Sequence, residues 1–202
     1  MKLWGITHRG AVRQQNQDAY AVRELEDGRG LAVVCDGMGG ARAGNVASSM
    51  AVELFMRKLE EQGQPGDDPQ KWLKTAAAHA NDGVFQKAVE DPDCTGMGTT
   101  LVAALAGNGK AVLLNEGDSR AYHITRALGA EPVLLADCFD QNVAPGDYLL
   151  LCSDGLSNVV TDQEILYEVI HGGEDEACCQ RLLDVALHRG APDNVTVVLM
   201  RC

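Results

Sequence analysis

Four aspartates, Asp36, Asp118, Asp154 and Asp193, stand beside apolar, strand-like runs and have the chemistry to hold divalent cations together. Asp36 closes the run Leu31–Cys35, Asp118 follows Ala111–Leu114, Asp154 follows Tyr148–Cys152, and Asp193 precedes Val195–Met200. An isolated carboxylate at the edge of a buried strand is costly. Several at equivalent edges call for a shared counter-charge, most simply divalent metal ions. They lie too far apart in the chain for one local loop of the EF-hand kind, so the fold must assemble the site from strand ends. Oxygen-only ligation favours Mg²⁺ or Mn²⁺. Two such ions about 3.5–4 Å apart can activate a water for in-line attack on a phosphorus centre.

The densest motif is Asp36-Gly37-Met38-Gly39-Gly40. Its glycines let the backbone turn sharply and approach a ligand closely. Asp36 offers carboxylate oxygens and Gly37 an exposed carbonyl; the plainer alternative is a strand-to-helix turn with a capping aspartate. The loop has no lysine, so it is no P-loop. Arg13 is a candidate phosphate clamp, because its fork can take two phosphate oxygens; a simple surface arginine is the alternative. Asp18 can ligate directly or orient a water. Arg120 is expected to pair with a neighbouring carboxylate.

Apolar periodicity places these residues on elements. Strands are expected over Lys2–His8, Asp18–Arg23 and Gly30–Cys35, with Glu26–Gly30 as a turn. From Ala43 to Leu59 the spacing becomes helical, and a second, alanine-rich helix is expected from Gln70 to Glu90 after a Gly/Pro/Asp loop. Strands follow over Thr99–Ala106, Lys110–Asn115, Arg120–Ile124, Pro132–Phe139 and Asp147–Cys152. A capping box at Thr161–Glu164 starts a helix, Glu174 to Gly190 holds another, and Val195–Met200 closes the chain. Consecutive hairpins with inserted helix pairs predict an α+β fold: two antiparallel sheets packed face to face with helix pairs outside. Residues 1–202 are read as a single domain.

Composition narrows the function. A net charge of −12 opposes nucleic-acid binding and anionic membrane surfaces. No apolar run approaches the ~20 residues of a membrane span, and the first residues are too short and polar for a secretory signal. The seven cysteines have no Cys-x-x-Cys spacing and read as reduced structural thiols of a cytoplasmic protein rather than zinc ligands.

Taken in order, Arg13-Gln-Gln-Asn-Gln-Asp18, Asp36-Gly-Met-Gly-Gly40, Gly96-Met-Gly-Thr-Thr100, Asn115-Glu-Gly-Asp-Ser-Arg-Ala-Tyr122, Leu151-Cys-Ser-Asp-Gly-Leu156 and Asp193-Asn-Val-Thr196 resemble a known family. The chain looks like a bacterial metal-dependent, protein phosphatase 2C-like serine/threonine phosphatase. The resemblance spans nearly the whole chain and implies a four-layer αββα sandwich with two Mn²⁺ or Mg²⁺ ions between the sheets. By position it implies that Asp36 bridges both ions, the Gly37 carbonyl binds one, and Asp154 and Asp193 hold the other. Asp18 would act through water, Arg13 would bind substrate phosphate, and Asp118 would help hold a third, weaker ion. The implied substrates are phosphoproteins of a cytoplasmic serine/threonine kinase, acted on by a monomer.

Two departures stand out. Animal members often carry His at the position of Met38, and methionine cannot donate a proton; neither His8 nor His123 fits the motifs as its replacement. In bacterial relatives a flap of several dozen residues follows the Gly-Asp-Ser-Arg-Ala-Tyr segment, whereas here Ile124 runs straight into Thr125-Arg-Ala-Leu-Gly129. A more open cleft and a weaker third-ion site are expected. The competing readings are a non-catalytic regulatory or binding module on the same fold, and a phosphatase for small phosphoesters or anti-sigma-factor antagonists.

Overall fold

The computed structural model describes residues 1–124 and 138–202. In chain order it contains β1 (Lys2–His8), β2 (Asp18–Glu24), β3 (Gly30–Met38), α1 (Gly40–Gln62), α2 (Pro69–Glu90), β4 (Gly98–Thr99), β5 (Leu101–Gly107), β6 (Lys110–Glu116) and β7 (Arg120–Ile124). These are followed by β8 (Phe139–Asn142), β9 (Tyr148–Cys152), α3 (Asp154–Ser157), α4 (Asp162–His171), α5 (Asp175–His188) and β10 (Val195–Arg201). The fold is α+β, with two antiparallel sheets. One runs β1-β10-β9-β7; the other runs β2-β3-β5-β6-β8, with β4 attached to β3.

Alternation along the strands divides the core. In β3, Leu31, Val33 and Cys35 pack with Phe55, Leu59, Trp72 and Leu73 of α1 and α2. The intervening Ala32 and Val34 turn the other way and join Val102, Ala104 and Leu113 against Leu149, Leu151, Val198 and Met200 of the opposite sheet. On that sheet's outer face Leu150, Cys152, Val197 and Leu199 meet Ile165 of α4 and Leu182 of α5. The period of two explains why these strands read as continuous apolar runs: both faces are covered.

Antiparallel registry sets the site. His8 pairs with Val195, so the segment after β1 starts beside the residues before β10. Asp18 pairs directly with Asp36. Cys152 pairs with Val197, which sends Asp154 to the same edge as Asp193. Leu101 pairs with Glu116, which carries Asp118 to that edge of the other sheet.

The boundaries differ from expectation in instructive places. β3 does not stop at Cys35 but continues through Asp36 and Gly37 to Met38, because the two residues of β4 pair with Gly37 and Met38 and keep them extended. The helix α1 begins at Gly40. Asp154 opens a short helix that apolar periodicity does not register, since it holds barely one turn. In α2 the start is set by Pro69 at the first turn and by Asp68, whose side chain accepts the Lys71 N–H at 3.0 Å. The expected strand Pro132–Phe139 and the junction segment Thr125–Gly129 lie outside the described residues, apart from Cys138 and Phe139; the described strand begins at Phe139. Thr161 and Glu164 form the full capping box expected of α4.

Candidate metal centre

One end of both sheets opens into a cleft of about 610 Å³ lined by Arg13, Asp36, Gly37, Met38, Asp118, Asp154 and Asp193. Asp18 lies buried behind it, 6% exposed. The four strand-edge aspartates therefore face one space, and each is held there by its own local device.

Asp36 is fixed through its backbone. Its N–H donates to Thr100 Oγ1 at 2.9 Å, and its carbonyl accepts from the Thr100 N–H at 2.9 Å and from Thr99 Oγ1 at 2.8 Å. Thr100 Oγ1 in turn meets Ser119 Oγ at 2.8 Å, which ties the Asp118 loop to β3. The Gly37 N–H bonds the Gln17 carbonyl at 3.1 Å. A Cβ on Gly37 would stand 2.0 Å from the Gly44 carbonyl oxygen and 2.7 Å from that of Gln17, so only glycine fits here.

Asp18 accepts from Ser153 Oγ at 2.7 Å and from Thr196 Oγ1 at 2.6 Å, all on Oδ2. Thr196 Oγ1 also meets Thr7 Oγ1 at 2.7 Å, and Asn16 donates to Thr7. A chain of hydroxyls thus joins β1, β2, β10 and the end of β9 beneath the cleft. Asp154 Oδ2 accepts from Asn158 at 2.9 Å, one turn on.

Asp193 is held on two sides. Its Oδ1 accepts the Asn194 N–H at 2.9 Å, and its Oδ2 accepts Arg13 Nη2 at 2.7 Å. Arg13, the expected phosphate clamp, is thus ion-paired to an expected metal ligand, with its side chain 53% exposed. The loop that carries Arg13 is anchored by Asn194, which is 4% exposed. The Asn194 amide donates to the Arg9 and Gln15 carbonyls at 2.9 Å each and accepts the Gln17 N–H at 2.8 Å. His8 serves the same loop, its Nδ1 accepting the Gly10 N–H at 3.0 Å. Arg120 pairs with Asp162 at 3.4 Å, the carboxylate partnership expected for it.

The electrostatics of the cleft are those of acids crowded together. Burial, then the charges of Asp18, Asp154, Asp193 and Asp118, push the Asp36 carboxyl up to about 8. Burial pushes Asp18 up to about 6 against the pull of Thr196 and Ser153. Asp154 is raised as well, by burial and then by Asp118 and Asp193, with Asn158 and Asp36 partly offsetting. Among the described residues no three acidic, imidazole or thiol side chains close into a ready-made chelate. Two carboxylate oxygens, Asp18 Oδ1 and Asp154 Oδ1, are nevertheless buried without a hydrogen-bond partner. Mutually repelling carboxylates, oxygen donors only, and orphaned buried oxygens fit hard divalent ions such as Mg²⁺ or Mn²⁺.

Sequence reasoning named the acids but not the groups that aim them: Thr100, Ser119, Ser153, Thr196 and the side chain of Asn194. Each is a small polar residue within or beside an apolar strand, and all but Thr100 lie within three residues of an aspartate. A buried hydroxyl or amide at such a position needs a partner, and that need is the signal that marks it.

Comparison with known proteins gives a consistent picture. The sequence profile described as "Protein phosphatase 2C" matches residues 5–137. The serine/threonine phosphatase stp of Listeria monocytogenes is 32% identical over 238 residues, covering 96% of this chain and 93% of that protein. An aligned length of 238 against a chain of 202 means that the relative carries residues this chain lacks. The crystal structure of the phosphatase Stp1 from Staphylococcus aureus superposes with a TM-score of 0.88 at 28% identity, covering 100% of this chain and 94% of that one. The catalytic domain of the phosphatase PstP, crystallised with two manganese ions, does so with a TM-score of 0.82 at 30% identity, covering 98% and 96%.

Proposed function

Because the chain belongs to the protein phosphatase 2C family and is a serine/threonine protein phosphatase, we propose that its carboxylate cleft holds two Mn²⁺ or Mg²⁺ ions and removes phosphate from phosphoserine and phosphothreonine in proteins. The observation that carries this reading is the meeting of Asp36, Asp118, Asp154 and Asp193 at one end of both sheets, with buried carboxylate oxygens lacking partners.

Asp36, Asp154 and Asp193 are the proposed ligands of the two core ions, joined by the Gly37 carbonyl. Asp118, at the rim, would help hold a third, weaker ion. Asp18, behind them, orients water through its free Oδ1. When bound, the ions supply positive charge to the crowded acids and to the phosphoryl group, and activate the attacking water. The chain's own residues do the rest. Arg13 keeps one nitrogen on Asp193 and presents the remainder of its fork to phosphate oxygens. Asn194 fixes the loop that carries it. The hydroxyl chain Thr7–Thr196–Asp18–Ser153 keeps Asp18 in one orientation. Met38 carries no exchangeable proton, so another group or a water in the site must supply the proton of the leaving hydroxyl.

The layers read as an αββα sandwich in one domain spanning residues 1–202, acting as a monomer on the phosphoproteins of a cytoplasmic serine/threonine kinase. Among the described residues no helix is long and apolar enough to cross a membrane. The test is Mn²⁺-dependent phosphate release from a phosphothreonine peptide, with Asp36→Asn and Asp154→Asn as controls. The expected result is turnover in the parent and at least ~100-fold loss in each variant, of the order seen when a transition-state charge stabiliser is removed. No turnover with added Mn²⁺, or full turnover in both variants, would refute it.

A further inference from the structure

Beside the carboxylate cleft lies a second, larger depression of about 810 Å³ between α2 and the strand ends of β4 and β6. The two adjoin, with Met38 and Thr100 in the lining of both. The character changes across that boundary. The first cleft is acidic; the second is walled largely by Ala77, Ala80, Val84, Leu101 and Leu114.

The exposed face of α2 shapes it. Lys74, Ala78, Asn81 and Phe85 follow one another at helical spacing along the groove. The middle of this row is low, with only alanines and an asparagine, while its ends are tall. One end is cationic and the other aromatic. Phe85 is 68% exposed and Met38, across the boundary, is 57% exposed. The short loop between α1 and α2 makes the helices antiparallel. Since α1 starts at the cleft, at Gly40, the end of α2 bearing Phe85 returns toward the cleft and Lys74 points away. Eleven helical residues at ~1.5 Å each separate the two by about 16 Å. An extended chain covers that distance in about five residues.

Resting on the phosphatase reading, we infer that this groove is the docking channel for the peptide flanking the phosphorylated residue, with a pocket for an apolar side chain at Phe85 and Met38 and a more distant contact for a carboxylate at Lys74. Adjacency to the cleft selects this occupant: a polypeptide whose phosphate reaches the aspartates must leave over a neighbouring surface, and this groove borders theirs at Met38 and Thr100. An apolar contact at one end and a cationic one about 16 Å away suit an extended segment. Binding energy from such remote contacts distinguishes a phosphoprotein from a small phosphoester.

The test uses phosphothreonine peptides with a single leucine placed in turn at each of the five positions on either side, on a glycine/serine background, together with an aryl phosphate. KM and kcat are measured with Mn²⁺, and peptide binding is read independently by fluorescence anisotropy. At one position the leucine is expected to lower KM and Kd by roughly tenfold. Phe85→Ser should abolish that advantage and leave aryl phosphate hydrolysis unchanged; the side chain is exposed, so folding is not at stake. Lys74→Glu should weaken the preference for a glutamate placed further out. No leucine preference in either readout, or a preference that survives Phe85→Ser, would overturn the proposal. So would a result in which Phe85→Ser only dissociates a dimer, which would make the groove a contact between copies. A parent that binds the leucine peptide preferentially but hydrolyses neither substrate would leave the groove standing and refute the phosphatase reading instead.

Discussion

At the residue scale, the acids that carry the chemistry are aimed by neutral neighbours. Asn194 is the clearest case, since every hydrogen-bonding group of its amide is used on the backbone of the loop bearing Arg13. Asn194→Ala leaves two carbonyls and an N–H without partners and is expected to destabilise the protein by roughly 2–4 kcal/mol. Asn194→Asp keeps the Gln17 contact but loses the two donated bonds and sets a carboxylate oxygen against the Arg9 and Gln15 carbonyls. Both variants should raise KM for phosphopeptides and lower stability in urea melts; an unchanged KM would separate Asn194 from Arg13. The crowding of Asp36 and Asp18 has a signed consequence for pH. Both carboxyls are raised in the metal-free fold, Asp36 to about 8 and Asp18 to about 6, from a starting value of 3.8. A raised group contributes its full stability below the unfolded value and loses it as the pH climbs through the folded one. The metal-free protein should therefore lose Tm between about pH 4 and pH 8. Saturating Mn²⁺ should flatten that slope and release protons on binding, both readable by calorimetry. A metal-free Tm that rises across this window would contradict the electrostatic picture.

At the element scale, strand edges set the site and helix starts finish it. β3 carries Asp36 and Gly37 past the end of its apolar run because β4 gives those residues partners. Replacing Gly37 by Ala forces a Cβ to within 2.0 Å of the Gly44 carbonyl oxygen, between β3 and α1. That overpacking should cost at least about 1–3 kcal/mol and should weaken Mn²⁺ binding measured by titration. The strands of the first half and the main helices were legible from periodicity, and the capping box at Thr161 placed α4 correctly. What periodicity missed has physical reasons. β4 is only two residues long, and α3 makes barely one turn, so neither shows a repeat. The extension of β3 depends on a partner far away in the chain. The hydroxyls of Ser153 and Thr196 are visible in the sequence, but their common partner, Asp18, becomes evident only when β2, β9 and β10 are brought together.

At the scale of the whole molecule, two sheets meet so that their aspartate-bearing edges share one cleft, and among the described residues an apolar groove lies beside it. The inter-sheet layer is built from small and medium side chains such as Ala32, Ala104, Val34 and Leu151, all fully buried. Leu151→Ala should cost about 2–5 kcal/mol and, by loosening the packing between the sheets, should lower Mn²⁺ affinity as well as Tm. The relatives' longer alignment and the direct run from Ile124 to Thr125 make this a shortened chain compared with them. Activity on aryl phosphate should therefore hold up better than activity on a phosphopeptide when compared with a longer relative, and equal ratios would argue against the more open cleft. The central claim, that the aspartates gathered from distant strand ends are ligands, is tested most directly by anomalous scattering from crystals grown with Mn²⁺. Two peaks are expected in the cleft about 3.5–4 Å apart, both beside Asp36, with Asp154 and Asp193 next to one of them. An empty cleft, or manganese bound without Asp36, would contradict it.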